Sequence, residues 1–182
     1  TSDTQGDRAI AIGVNALGSQ NFTSSNDNYN VAVGYNAGQQ ITTGVYNTFL
    51  GGLAGDALTD ADENTGIGFN ALTSDTLGSK SVAVGRSALA LQNFTTATDT
   101  YNTAVGYFAG VNVTSGQYNT LVGGLSGDAI TDADFNVALG YAALSSNTVG
   151  SSSVAIGAFA LNAQNSNTNL TFNFSSGHSS HC

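Results

Sequence analysis

The stretch NTAVGYFAGVNVTSGQYNTLVGG, which runs from Asn102 to Gly124, contains one five-residue phrase twice. The phrase is Asn, Thr, two apolar residues and Gly, and it ends first at Gly106 and then, seventeen positions later, at Gly123. A phrase that returns at a fixed interval indicates a repeat architecture, in which each repeat packs on its neighbours and like positions lie over like.

Variants of the phrase occur along most of the chain. The steps in residue number from one phrase glycine to the next are 21, 17, 17 and 17, and the same four steps then follow again. Residues 13–84 therefore align without a gap on residues 85–156, with 42 of the 72 positions identical. The nine phrase glycines are Gly13, Gly34, Gly51, Gly68, Gly85, Gly106, Gly123, Gly140 and Gly157.

The repeat predicts the domain organisation. We expect a connector at residues 1–8, a solenoid of nine coils at residues 9–162, and an eroded last coil with a tail at residues 163–182. The eroded coil is inferred from a tenth phrase at 173–177, which keeps Asn and Gly but has Ser in place of the last apolar residue.

Positions in each coil are numbered here from its phrase glycine, which is position 0. Position −3 is mostly Thr or Val and position −1 is Val, Ile or Leu, an alternation at period two that is typical of a strand. A helix is disfavoured because it would contain a Gly every few residues. A coil of this length can hold two short strands and two turns, so the pattern predicts an all-β, parallel β-roll or β-solenoid with 17- and 21-residue coils. The recurring glycine is expected where the backbone needs positive φ or where two backbones approach closely.

Composition excludes several classes of function. Only 8% of the 182 residues are charged, and the net charge is −9 with three fixed cations, Arg8, Lys80 and Arg86. Such a chain cannot neutralise phosphates, so we expect no nucleic-acid partner. No apolar run approaches the length of a membrane-spanning segment, so we expect no membrane insertion. The single cysteine, Cys182, cannot form an intrachain disulfide.

The interior of such a roll is small, because position +3 is Ala in eight of nine coils and position +4 is Gly or Leu. Several chains side by side would bury more apolar surface, which predicts a homotrimer that packs through the aliphatic strand face. The predicted core and trimer residues, one at position −1 of each coil, are Ile12, Val33, Leu50, Ile67, Val84, Val105, Val122, Leu139 and Ile156.

The phrases SVAVG at 81–85 and SVAIG at 153–157, each followed by two residues and Ala, resemble the head repeat of YadA-type trimeric autotransporter adhesins. The wider N-T-A-x-G-x-x-A-G array is similar to segments of bacteriophage tail fibres, including those of cyanophages. The resemblance covers residues 9–161 and implies a left-handed, trimeric β-roll on an extracellular or virion-borne fibre that meets cell surfaces. The longer coils of this chain depart from the adhesin pattern and favour the tail-fibre interpretation.

Two acidic turns have the oxygen spacing of calcium loops, although neither has the Gly or the Glu that such loops carry further on. They are open to two interpretations, a weak calcium site or a solvated turn, and we otherwise expect no cofactor. The candidate ligands are Asp60, Asp62 and Asn64 in the first turn and Asp132, Asp134 and Asn136 in the second. Paired carboxylates could also hydrolyse glycans, but the roll has no His base, so we expect no enzyme.

Aromatic residues recur at two positions. Tyrosines precede several phrase asparagines and aromatic residues follow several phrase glycines, so they could form a sugar-binding stripe or a structural ladder. The 21-residue coils carry extra loops, whose Phe22 and Phe94 are expected to protrude as surface contacts.

The C-terminal tail contains His178 and His181 beside Cys182. A trimer would bring three copies of each His together, which gives a weak metal candidate, and Cys182 could form an interchain disulfide. A polar connector is the alternative interpretation of the same tail.

The sequence therefore predicts a non-enzymatic, structural and surface-contacting segment of an extracellular or virion fibre that attaches to a glycan or protein receptor. The alternatives are the head of a bacterial trimeric adhesin and a self-assembling extracellular filament in which the 72-residue unit continues end to end.

Overall fold

The structure, a computed structural model, describes residues 6–23, 26–164 and 173–176. It contains fourteen strands and, within those ranges, no helix, so no helix in that part could cross a membrane. The strands are β1 (Gly6–Asp7), β2 (Ile10–Ile12), β3 (Asn26–Asp27), β4 (Val31–Val33), β5 (Thr48–Leu50), β6 (Thr65–Ile67), β7 (Gly78–Ser79), β8 (Val82–Val84), β9 (Thr98–Asp99), β10 (Thr103–Val105), β11 (Thr120–Val122), β12 (Val137–Leu139), β13 (Ser153–Ile156) and β14 (Asn173–Ser176).

Ten of these strands form one parallel sheet in the order β14-β13-β12-β11-β10-β8-β6-β5-β4-β2. Each strand pairs with the same positions of the adjacent coils: Thr103 pairs with Thr120 in the coil that follows and with Val82 in the coil before. The all-β, parallel solenoid is therefore confirmed. Strand β14 shows that the tenth phrase also pairs, since Asn173 lies opposite Ser153.

The prediction of two strands in every coil is wrong. Among the described residues, a second strand occurs only beside the longer coils, as the pairs β1–β3 and β7–β9. Elsewhere left-handed residues interrupt the extended backbone at positions −5, +2 and +4, for example Tyr101, Phe108 and Gly110 with φ of 51°, 56° and 58°. Left-handed residues turn the backbone N–H groups alternately toward either neighbour, so Phe108 donates to the coil before and Gly110 to the coil after.

The expectation for the phrase glycines is confirmed. Their φ runs from 112° at Gly157 to 144° at Gly106, in a region that side chains rarely occupy. A Cβ on Gly106 would lie 2.5 Å from the carbonyl carbon of Gly123 and 2.9 Å from the nitrogen of Gly124. The glycine thus allows successive coils to stack with their backbones in contact.

The interior is built from position −2, between the two positions that the alternation marks as apolar. Every described member of this position from the second coil onward is buried: Ala32, Phe49, Gly66, Ala83, Ala104, Leu121, Ala138 and Ala155. The position −1 row, expected in the core, lies outside it: Ile12, Leu50 and Ile156 are 60%, 48% and 42% exposed, and the other six are half-buried. The strand pleat turns −3 and −1 outward together and −2 inward, where six of the eight residues are Ala or Gly and two, Phe49 and Leu121, are large.

The large inward side chain Phe49 is matched by glycines around it. A Cβ on Gly38, Gly55 or Gly66 would lie 3.2, 2.6 or 2.9 Å from its ring carbons. In the second 72-residue unit, Leu121 takes the place of Phe49 and Ala138 takes the place of Gly66. The smaller side chain of Leu121 is thus accompanied by the added methyl group of Ala138.

This exchange predicts a compensating pair of substitutions. Gly66→Ala should overpack against the Phe49 ring and cost about 1–3 kcal/mol, and Phe49→Leu should leave a void that costs about 1 kcal/mol. The double variant should regain most of the loss, because it reproduces the Leu121 and Ala138 packing. Urea unfolding of the unmodified protein, the two single variants and the double variant would measure the coupling free energy between positions 49 and 66. If the two losses of stability simply added, the side-chain volumes at these positions would not be matched to each other.

Buried asparagines form a second ladder inside the roll, at position −4. The side-chain Oδ1 of Asn102 accepts the backbone N–H of Asn119 at 2.9 Å, and Oδ1 of Asn119 accepts that of Asn136 at 3.0 Å. The Nδ2 of Asn119 donates to the carbonyl of Ala133 at 2.8 Å. The side chains of Asn30, Asn47 and Asn64 accept and donate in the same way in the first unit.

Ser81 interrupts this asparagine ladder where the two units meet. The buried carboxylate of Asp75 lies there and accepts the Nε2 of Gln92 at 2.5 Å and the backbone N–H of Phe94 at 3.0 Å. Gln92 also donates to the Ser81 hydroxyl, which pairs with that of Thr100 at 2.5 Å. These side chains connect the first unit to the longer coil that begins the second.

Candidate functional site

The outward side chains at positions −3 and −1 form one continuous strip, here called the outer face. The strip alternates Thr or Val at −3 with Val, Ile or Leu at −1, and it runs the length of the ten-stranded sheet. Within one row the neighbours are in register, as in the series Val84, Val105 and Val122. The outer face is therefore an apolar surface that the single chain leaves half-exposed.

Position −5 forms the stacked row, which flanks the outer face on the N-terminal side of the strands. Tyr101, Tyr118 and Phe135 stack with ring centroids 5.5 and 4.8 Å apart and interplanar angles of 14° and 1°. Tyr29 and Tyr46 stack likewise at 5.7 Å. The rings are 43–57% exposed, so they do not close the core as a structural ladder would, yet their flat faces cover one another.

A cation begins each run of rings in the stacked row. The Nζ of Lys80 lies 5.4 Å from the Tyr101 ring centroid and donates to Asp99 at 2.6 Å, a bond that raises the pKa of Lys80. In the first unit Arg8 lies over the Tyr29 ring and pairs with Asp27. Each cation is thus already held by a carboxylate and a ring of its own chain.

Position +1 forms the spaced row, which lies on the other side of the outer face, past the phrase glycine. Its backbone carbonyls accept N–H groups of the next coil, as from Leu53 to Tyr35 at 2.8 Å and from Leu125 to Tyr107 at 2.9 Å, so its members lie one above another. Aromatic residues occupy every second coil, and Gly or Arg occupies the coil between. The row begins with Val14 and ends with Ala158, and between them it reads, in stacking order, Tyr35, Gly52, Phe69, Arg86, Tyr107, Gly124 and Tyr141.

Charge is almost absent from this side of the molecule. Across positions −4 to +4 of all nine coils, the sequence contains one charged residue, Arg86. Its guanidinium lies 5.7 Å from the Tyr107 ring centroid and donates to the Tyr107 hydroxyl at 3.3 Å. The carboxylates that give the chain its charge of −9 all belong to other positions.

The calcium candidates are not brought together. Asn64 and Asn136 point inward as rungs of the asparagine ladder, because their Oδ1 atoms accept the N–H groups of Ser81 and Ser153. Asp62 and Asp134 use Oδ1 to accept backbone N–H groups of the preceding coil at 2.8 and 2.7 Å. Asp60 and Asp132 remain exposed. In the described ranges no group of three or more His, Cys, Asp or Glu side chains is placed to hold a metal ion.

An acidic groove lies beside the first of these turns. It has a volume of about 720 Å³ and is lined by Asp60, Asp62, Asp99 and Tyr118, among others. The Asp99 carboxylate is bound to Lys80 and the Asp62 carboxylate to the backbone of Val45. The groove therefore contains carboxylates that are largely committed to the fold.

The expected surface contacts in the longer coils are wrong. Phe22 and Phe94 are only 5% and 7% exposed, so both rings pack inward instead of protruding. At Phe94 the backbone N–H bonds the buried Asp75 and the carbonyl accepts the Thr76 hydroxyl, which holds the loop against the roll. His178, His181 and Cys182 lie outside the described residues.

Two half-buried aspartates predict how stability depends on pH. Burial raises the pKa of Asp56, against an opposing hydrogen bond from Thr73, and burial likewise raises the pKa of Asp128. The folded chain then retains protons that the unfolded chain has released. This contribution to stability is complete below the unfolded pKa of 3.8 and is lost as pH rises through the raised folded values.

We therefore expect the melting temperature to increase as pH is lowered from neutral toward 4. Replacing Asp56 and Asp128 together by Asn should flatten this dependence, whereas Asp132→Asn, at an exposed position, should leave it unchanged. Thermal unfolding followed by circular dichroism at several pH values measures both. A melting temperature that falls steadily over the same range would refute the assignment.

Comparisons of this chain with protein-family models, with curated proteins and with solved structures returned no match.

Proposed function

We propose that this chain is a non-enzymatic, structural and surface-contacting segment of an extracellular or virion fibre, of the kind that a tail fibre uses for attachment to a host receptor. The observation that carries the proposal is the in-register solenoid with one long, almost uncharged side that displays exposed aliphatic and aromatic rows. A rod of stacked coils holds such rows at fixed spacing, as repeated contacts with a surface require. The resemblance to adhesin heads and tail fibres supports the same function.

Assembly of three chains belongs to the proposal, with each chain a left-handed roll of 17- and 21-residue coils. Positions −5 to −1 span about 16 Å at roughly 3.3 Å per residue, and nine coils span about 43 Å at roughly 4.8 Å per coil. The resulting area, nearly 700 Å² per chain, approaches the roughly 800 Å² that each partner buries in a stable interface. The outer face itself carries no carboxylate, so association through it also keeps the acidic loops of different chains apart.

Val105→Asp tests the assembly. Val105 lies in the outer face between Val84 and Val122, so a carboxylate there would be buried between chains without a partner at a cost of about 2 kcal/mol or more. The single chain should still fold, because this side chain points outward. Light scattering should give about three times 18.3 kDa for the unmodified protein and a smaller mass for the variant.

Thr95→Asp, in an exposed loop, introduces the same charge and should leave the mass unchanged. A monomeric unmodified protein, or a Val105→Asp variant that remains fully assembled, would contradict the trimer. Circular dichroism of both variants separates a loss of assembly from a loss of fold.

Surface contact requires its own experiment. Labelled protein, incubated with a panel of bacterial cells and with purified cell envelopes, should bind saturably to some of them, and the less assembled Val105→Asp protein should be released faster. Absence of saturable binding to every surface would remove the attachment role.

A self-assembling filament is the second candidate. The main sheet ends in β2 at one edge and β14 at the other, and each of these has a strand neighbour on one side only in the described part. Unpaired edges are templates for further strands, so end-to-end growth is compatible with this sheet. Elongated particles that lengthen with protein concentration in electron micrographs would favour this candidate over a discrete trimer.

A further inference from the structure

From the spaced row we infer a binding site for an uncharged, extended β-1,4-linked polysaccharide that lies along the axis of the stack. The inference rests on the proposed function, because it names the chemistry of the surface that the segment contacts. The outer face and the stacked row remain the assembly surface. The spaced row lies outside that surface, on the other side of the phrase glycines.

The spacing of the rings is the first argument. Aromatic residues at every second coil are separated by about 10 Å, since each coil advances by roughly 4.8 Å. That separation is close to the length of one disaccharide in an extended β-1,4-linked chain. Alternate sugars of such a chain face opposite ways, so every second ring presents the same apolar face. Tyr35, Phe69, Tyr107 and Tyr141 would therefore each meet an equivalent sugar.

The exposure of the rings is the second argument. Tyr35, Phe69, Tyr107 and Tyr141 are 58%, 48%, 52% and 52% exposed, and successive rings of the row, two coils apart, do not stack on one another. Two of them contact a ring at position +2 and stay half-exposed: Tyr107 lies 4.4 Å from Phe108 at a 52° tilt, and Tyr141 meets Phe159 edge-on at 5.3 Å. An aromatic side chain with an accessible flank offers apolar area and, for Tyr, a hydroxyl that can bond a sugar hydroxyl.

Glycines leave room for the intervening sugars. At Gly52 and Gly124 a Cβ would already lie 3.5 Å from the ring of Phe69 or Tyr141, so a larger side chain would fill the gap between successive aromatic positions. In the coil between Phe69 and Tyr107, Arg86 donates to the Tyr107 hydroxyl and has further N–H groups for sugar hydroxyls.

Charge complementarity selects the class of polysaccharide. A chain of net charge −9 repels an acidic glycan, whereas the region around the spaced row contains Arg86 and no carboxylate at positions −4 to +4. A neutral glycan meets no repulsion there. A cationic partner would instead be drawn to the acidic loops.

The stacked row provides the contrast. Its rings face one another with interplanar angles of 14° and 1° for the run from Tyr101 to Phe135, so it offers edges instead of flat faces to a ligand. A sugar chain that binds through ring faces should therefore distinguish the two rows, although both are aromatic and exposed to a similar degree.

Isothermal titration of the full chain with cellohexaose and with N-acetylchitohexaose tests the inference. We expect at least one of them to bind, with affinity that increases from the disaccharide to the hexasaccharide. Maltohexaose, whose α-1,4 links give a curved chain, should bind far more weakly. Phe69→Ala and Tyr107→Ala should each weaken binding roughly tenfold, and Tyr118→Ala, in the stacked row, should not.

The inference is overturned if neither β-1,4 hexasaccharide binds the folded protein, if maltohexaose binds as well, or if Tyr118→Ala weakens binding as much as Tyr107→Ala. Circular dichroism confirms that each variant is folded. The polysaccharide site can fail while the proposed function stands. If cells bound the Phe69→Ala and Tyr107→Ala proteins as tightly as the unmodified chain, the attachment role would remain and the polysaccharide site would be refuted.

Discussion

Gly106→Ala is expected to destabilise the chain by about 4 kcal/mol or more, a large fraction of the stability of an ordinary protein. A φ of 144° is strained for any residue with a Cβ, and the new methyl group would lie 2.5 Å from the carbonyl carbon of Gly123. The neighbour cannot move aside, because Gly123 is held in turn against Gly140. Thermal or denaturant unfolding of the variant measures the loss.

Gly124→Ala is the matched control for this substitution. Gly124 is adjacent to Gly123 in the chain, but a Cβ there would have its nearest atom at 3.5 Å, in the Tyr141 ring. Its stability should stay within about 0.5 kcal/mol of the unmodified protein. Equal losses for Gly106→Ala and Gly124→Ala would show that close backbone approach does not explain the recurring glycine.

Asn119→Ala is expected to cost about 3 kcal/mol, because the substitution orphans two buried backbone groups. It leaves the N–H of Asn136 without its acceptor and the carbonyl of Ala133 without its donor, both in the buried ladder. Each unsatisfied buried group costs about 1–3 kcal/mol. Urea unfolding, with amide exchange at Asn136 as a local measure, would test the value.

Two further variants sharpen the test of the ladder. Asn112→Ala removes an exposed amide that also bonds a backbone carbonyl, that of Asp128, and should cost less than about 1 kcal/mol. Asn119→Asp keeps an acceptor for Asn136 but sets a carboxylate oxygen against the Ala133 carbonyl, so it should destabilise at least as much as Ala. If Asn119→Ala were as mild as Asn112→Ala, the ladder would contribute little to stability.

The spacing of the glycines was sufficient to predict the stacking and its register. Strands such as β10 and β11 pair in phase with the repeat because a coil of fixed length can seat on its neighbour in only one way. The same spacing could not predict how the remainder of each coil runs. Left-handed Leu89 or Tyr101 has no sequence signal, since non-glycine residues are only rarely left-handed and tertiary contacts hold them there.

The direction of the side chains was not predictable from the alternation alone. A period of two shows that −1 and −2 lie on opposite sides of a strand, and hydrophobicity placed Val105 inside. The structure places Ala104 inside instead, in a row of mostly Ala and Gly in which Phe49 and Leu121 are the large exceptions. When position −2 faces inward, position −4 does so too, because the two positions lie on the same side of the strand. The asparagines at position −4 are then internal and can form a ladder.

The exposed aromatic rows were visible in the sequence, but their difference was not. Tyr118 and Tyr107 are both exposed tyrosines next to the phrase, yet Tyr118 stacks on the rings of both adjacent coils, whereas Tyr107 contacts Phe108 at a tilt and the Arg86 guanidinium. The distinction depends on whether adjacent coils both carry a ring, which becomes evident when the coils are laid over one another. The inward packing of Phe94 likewise depends on the buried Asp75, which no local pattern connects with it.

The seam between the two units, formed by Asp75, Ser81 and Gln92, has a consequence for inheritance. Gln92 also accepts the amide of Asn102, just as Gln20 accepts that of Asn30 one unit earlier. Ser81 recurs as Ser153, whereas Asn147 takes the place of Asp75, so most of the seam is encoded in both units. A gene for such a protein can therefore gain or lose whole units with few changes at the junction, each unit adding about 19 Å of rod at roughly 4.8 Å per coil. Insertions or deletions that are not whole coils would break the register, so length variation among descendants of such a gene should come in whole coils or whole units.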